Sequence, residues 1–162
     1  MLTKKVEEIC NRQIEREGFS SNLYLAMASW AETKGMAGIA AWLYAQADEE
    51  RGHMLKFIKY VNERGGSAVI PEFKKPPVKY KGIPELFAEV LKHEKFITAS
   101  ISEVLETAIA EKDHATANWI QWFVKEQVEE ETSAQLILDK ISLAGEYGIY
   151  FLDRDIMNLR GK

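Results

Sequence analysis

Asp48-Glu49-Glu50-Arg51-Gly52-His53 lies in the middle of a long segment whose apolar residues recur at helical spacing. Glu50 and His53 form an E-x-x-H pair, which a helix carries on one face. At about 100° per residue, Ile39, Leu43, Met54, Phe57 and Val61 project within about 40° of Glu50. The pair therefore interrupts a core stripe. A carboxylate in such a stripe costs several kcal/mol unless it is paired, protonated or bound to a metal.

Working outward, the 162 residues suit one domain, 1–162, with a full hydrophobic core. A composition of 46% hydrophobic and 28% charged residues fits a globular chain rather than a disordered one. The net charge of −4 argues against nucleic acid as a partner and fits a protein that handles cations. Cys10 is the single cysteine, so an intrachain disulfide is excluded. The start is amphipathic and charged, with no apolar signal core, and no apolar run is long enough to span a membrane. A soluble, cytoplasmic protein is expected, with no membrane partner.

The fold class expected is all-α. Four long helices are predicted over about 3–34, 38–64, 83–111 and 114–144, with a short fifth over about 147–158. Thr3 is a plausible N-cap for the first. Gly35, Gly65-Gly66 and Gly145 punctuate the ends of the first, second and fourth. Residues 67–82 contain Pro71, Pro76 and Pro77 and cannot be helical throughout. A connection this long can cross the whole bundle and make the second and third helices parallel. The first helix carries a second apolar stripe, Phe19, Leu23, Ala26 and Trp30, which is read as facing another subunit.

Each long helix breaks its most apolar line with one carboxylate: Glu17, Glu50, Glu94 and Glu130. Taken singly, such a glutamate is more often an edge residue whose carboxylate reaches solvent. Four at mid-helix fall at one level of an antiparallel bundle, where without cations they repel severely. Two divalent cations and one imidazole, His53, compensate them. Oxygen-rich ligation with a single nitrogen suits iron or manganese better than a closed zinc site. The fourth helix reads Gln127-x-x-Glu130, Q-x-x-E, where a second E-x-x-H would complete the symmetry of a di-iron bundle. One ion is thus assigned to Glu17, Glu50 and His53. The other falls to Glu50, Glu94 and Glu130, with Glu50 bridging and Gln127 beside it. The second ion, without an imidazole, is expected to bind more weakly. Tyr24, on the Glu17 line, is a candidate to hydrogen-bond a ligand or supply an electron. Trp122 is a weaker candidate of the second kind. His93 points about 100° from Glu94 and His114 is read as a surface residue.

The joint pattern of Glu17…Tyr24, Glu50-x-x-His53, Glu94 and Glu126-Gln127-x-Glu129-Glu130, with the long crossover and the short fifth helix, resembles the bacterial non-haem ferritins over the whole chain. The resemblance implies a ferritin-like four-helix bundle that assembles into a homo-oligomeric hollow shell of 24 subunits. It implies a ferroxidase with Glu50 and Tyr24 at its catalytic centre, which oxidises Fe(II) with O2 or H2O2 and stores Fe(III) mineral. It also implies a third iron site at Glu49, Glu126 and Glu129, which the residues alone read as a solvated acidic edge. The haem-binding relatives carry a second E-x-x-H and a methionine where this chain has Gln127/Glu130 and Arg51, so no haem is expected. Two other classes compete: a small di-iron or di-manganese oxidoreductase acting on another substrate, and a non-catalytic bundle whose buried acids are structural.

Overall fold

The computed structural model describes residues 1–160, and among them no strand occurs. The elements are α1 (Lys4–Thr33), α2 (Ala37–Glu63), α3 (Ile83–Ala110), α4 (His114–Trp119) and α5 (Gln121–Asp155), with a 3₁₀ turn at Ile156–Leu159. Thr3 caps α1 by accepting from the Val6 amide. At the α1–α2 turn, Gly35 adopts φ 73°, the Gly35 amide donates to Glu32 O and the Met36 amide to Ala31 O. That pair of bonds is a Schellman closure, and it reverses the chain into the antiparallel α2. Gly65 repeats the device at the end of α2, with φ 77°.

The crossover then retraces the length of α1. Asn11 holds it near the start, donating to Ser67 O and accepting from the Val69 amide. Phe73 covers Gly18 so closely that a Cβ there would lie 2.3 Å from its ring. Tyr80 meets Trp30 edge-on at 5.5 Å near the end. The chain therefore enters α3 at the end of the bundle where α2 begins, and the two helices run parallel. This path also covers part of the second stripe of α1. Leu23 is 6% exposed within the chain itself, and the crossover takes up part of the face assigned to a partner. The 16-residue proline-bearing crossover lies along α1, so Leu23 is covered within the chain while Phe19, Ala26 and Trp30 stay partly exposed.

The fourth predicted helix is interrupted at Ile120, which separates α4 from α5 while its amide still bonds Thr116 O. Gly145 (φ 62°, ψ −171°) kinks α5, so its last ten residues turn away as the short fifth segment. That segment docks where α2 starts. Met36 provides no side-chain cap for α2, and the Asp153 carboxylate accepts from the Ile39 amide instead, at 2.8 Å.

The core consists of two apolar blocks. One gathers residues such as Tyr24, Met27, Trp42, Leu43, Phe87 and Ile137, and the other Val6, Ile14, Phe57, Ile97, Ile101 and Phe123. Between them lies a polar layer formed by Gln13, Glu17, Gln46, Glu50, His53, Glu94, Gln127 and Glu130, all buried.

Candidate metal centre

Each long helix contributes one carboxylate to this layer because each breaks its apolar stripe once, midway along. Glu17 and Glu50 are each 1% exposed, Glu94 1% and Glu130 7%. Ligand atoms of Glu17, Glu50 and His53 lie within 4.8 Å of one another. His53 Nδ1 stands 3.4 Å from Glu50 Oε2 and 4.0 Å from Glu17 Oε2. Both Glu50 oxygens and Glu17 Oε2 are buried without a hydrogen-bond partner. Three orphaned acceptors, two of them within 4.0 Å of one imidazole nitrogen, fit a divalent cation.

Residues that the sequence did not single out hold the other oxygens. Gln13 donates to Glu17 Oε1 at 2.8 Å and is itself fixed by the Ser100 hydroxyl at 2.7 Å. Gln46 donates to Glu130 Oε2 at 2.8 Å. The available signal was spacing: each glutamine precedes a stripe glutamate, Glu17 or Glu50, by four residues. Tyr24, on the Glu17 line, donates its hydroxyl to Glu94 Oε1, a carboxylate of the layer from α3. Gln127 donates to Glu94 Oε2 at 3.2 Å. Glu94 is thus oriented from both sides, with the Gln127 amide nitrogen bound to its carboxylate.

Burial pushes the Glu17 carboxyl well above the usual range, and the charge of Glu50 adds to it. Glu50 is raised in the same way by burial and then by Glu94 and Glu130. For Glu94 the bonds from Tyr24 and Gln127 oppose the upward push of burial. Burial, with Glu94 and Glu49 nearby, lifts Glu130 to about 8. The layer is built to be neutralised, by protons or by cations.

Of the flanking acids, Glu49 and Glu126 approach His53 from its other surroundings, with ligand atoms of all three within 4.8 Å. Glu129 joins Glu49, Glu126 and Glu130 around a cavity of about 40 Å³. Arg160 also lines this cavity and donates to Glu49. His93 bonds Ser20 at 2.7 Å and takes no part in the layer, and His114 is exposed. Trp122 packs edge-on against the His53 ring at 5.5 Å, with the Lys56 ammonium 3.1 Å above its own ring.

A four-helix bundle with a long crossover and a buried carboxylate–histidine layer defines the ferritin-like class of proteins. A family profile described as a ferritin-like domain matches residues 7–144, and the chain belongs to the ferritin family. A bacterial non-heme ferritin of Campylobacter jejuni is 40% identical over 98% of this chain and 96% of its own length. Its counterpart from Escherichia coli is 38% identical, with 98% of each chain covered. Among solved structures, an open pore ferritin from Archaeoglobus fulgidus superimposes with a TM-score of 0.95 at 40% identity, covering 99% of this chain and 98% of that one.

Proposed function

We propose that this chain is the subunit of an iron-storage shell and that it oxidises Fe(II) in the middle of its own bundle. The observation that carries the reading is the set of three unpartnered carboxylate oxygens on Glu17 and Glu50 facing His53. Fe(II) is substrate here. One ion is held by Glu17, Glu50 and His53, the other by Glu50, Glu94 and Glu130, with Glu50 between them. Each Fe(II) gives one electron to the oxidant, O2 or H2O2, and the four carboxylates favour the Fe(III) product by their charge. The role of Gln13, Gln46 and Gln127 is to hold the carboxylates still. Tyr24 steadies Glu94, on the second site, and is placed to supply an electron there. The cavity bordering Glu130 holds about 40 Å³, enough for ions and water and too little for an organic substrate.

The third site at Glu49, Glu126 and Glu129 borders the same cavity and gives an ion a place next to the centre. Assembly into a shell of 24 copies is supported by the likeness to ferritins and by apolar side chains exposed on the isolated chain. Leu143, Tyr147, Tyr150 and Phe151 all lie bare around the Gly145 kink.

The test is substitution of Glu50 by Gln. Stopped-flow absorbance of Fe(III) is expected to lose its fast phase by about 100-fold or more, while far-ultraviolet dichroism stays helical. Fast oxidation that survives in the Glu50→Gln protein would remove the centre from the mechanism.

A further inference from the structure

The third acidic cluster already holds a cation belonging to the chain. Arg160 follows the 3₁₀ turn and lies back along α2. Its guanidinium donates to Trp42 O at 3.3 Å, to Ala45 O at 3.1 Å and to the Glu49 carboxylate. Those acceptors span two turns of one helix and end at the cavity bordered by Glu126, Glu129 and Glu130. The side chains of Arg160 and Glu49 are 20% and 33% exposed, so the pair is partly withdrawn from solvent and resists screening by salt. Glu126 next to it is pushed up, by burial first and also by the charges of Glu49 and Glu129. Two other cations lie nearby, with the Lys56 ammonium over the Trp122 ring and Lys125 paired with Glu129 at 3.8 Å, but among the described residues only Arg160 bonds Glu49.

We propose that Arg160 is a displaceable counter-cation for the Glu49–Glu126–Glu129 site, so that an ion takes that site only by prising the C-terminal arm from Glu49. Arg160 is then a positioning residue that acts through Glu49 and touches no substrate itself. The physical basis is competition for one carboxylate. A guanidinium cannot lose its proton in a protein, so Arg160 stays a charged competitor for the Glu49 carboxylate against any incoming cation. With the arm bound, Glu49 is committed and the third site is weaker than its acids alone would make it. With an ion bound, the arm is free. Admission of the third ion is thereby coupled to the order of residues 156–160, which follow the docking contact of Asp153 with α2. This inference rests on the proposed third site.

Two measurements separate the arm from the site. Calorimetric titration of the assembled apo-protein with Zn(II), a redox-silent probe, is expected to show a third ion per chain bound about tenfold more tightly in Arg160→Gln than in wild type. A charge-assisted hydrogen bond removed from the competition is of that order. Arg160→Lys, which keeps the charge, should recover most of the wild-type value, and the two tighter ions should be unmoved in both. An unchanged or weakened third ion in Arg160→Gln would overturn displacement. Hydrogen exchange on the apo-protein provides the second readout: Glu49→Gln should raise amide exchange over 156–160 by about tenfold, with α5 unaltered. If no protein binds a third ion, the third-site reading fails, and displacement with it. The Glu49→Gln exchange result then still decides whether Glu49 holds the arm.

Discussion

Glu50 is 1% exposed and neither of its oxygens has a hydrogen-bond partner, an arrangement that a fold tolerates only for a reason. Two carboxylates about 4 Å apart repel by about 4 kcal/mol at an effective dielectric near 20, so without metal the layer must take up protons. The consequence for stability has a definite sign. An ordinary glutamate titrates near about 4.3 in the unfolded chain. Glu130 titrates at about 8 in the folded one, and Glu17 and Glu50 are raised as well. Between those values the folded state binds more protons than the unfolded state, so stability is complete below the lower value and is lost as pH rises towards the upper. The metal-free protein is therefore expected to melt at progressively lower temperature from pH 5 to pH 8. Addition of Zn(II) should flatten that slope, with protons released on binding and detectable by calorimetry in buffers of different ionisation enthalpy. The Glu50→Gln protein should gain about 1–2 kcal/mol at pH 8 and less at pH 5, measured by denaturant unfolding of the metal-free form. A metal-free wild type more stable at pH 8 than at pH 5 would mean that the layer is compensated by something other than protons.

At the scale of elements, the ends of the helices explain where the chain turns. Lys112 closes α3 with φ 57°, a left-handed position that an L side chain adopts at a cost of about 1 kcal/mol. Lys112→Gly should accordingly raise stability by about 0.5–1 kcal/mol with no change in iron oxidation, since it lies far from the polar layer. The start of α2 depends on a residue more than a hundred positions away, Asp153. Gly38 permits this approach, because a Cβ there would stand 1.7 Å from Asp153 O. Asp153→Ala removes the acceptor and is expected to cost about 1 kcal/mol, seen as faster hydrogen exchange in both the first turn of α2 and the segment after Gly145. The long helices, the glycine stops and the crossover were legible in the sequence because each depends on local chemistry: stripes of period 3.6, glycine at a left-handed cap, proline in a connection. The stripe carboxylates Glu17, Glu50, Glu94 and Glu130 were legible for the same reason. Asp153, Arg160, Gln13 and Gln46 were not, because what they do depends on a partner from another helix or from the far end of the chain. Tyr24 shows the limit within one residue: its line on α1 could be read, and its partner Glu94 on α3 could not.

For the whole molecule, the two apolar blocks hold the bundle together from either end and leave its middle for charge. None of the described helices is long and apolar enough to cross a membrane. Leu143 (87%), Tyr147 (94%) and Tyr150 (71%) form an exposed apolar patch of the kind that marks an interaction surface, and the proposed assembly would cover it. Charge placed there should weaken assembly: Tyr147→Glu is expected to give a smaller species than wild type in sedimentation velocity, with unchanged helix content. The central claim, that iron is oxidised inside each bundle and kept inside an assembly, is tested most directly by titrating the metal-free assembly with Fe(II) in air and sizing the product. Rapid oxidation of about two irons per chain, then slower uptake of many more into one large particle, is the expected result. Oxidation no faster than in buffer would contradict catalysis by the carboxylate layer. Rapid oxidation that stops at about two irons in a small oligomer would contradict storage.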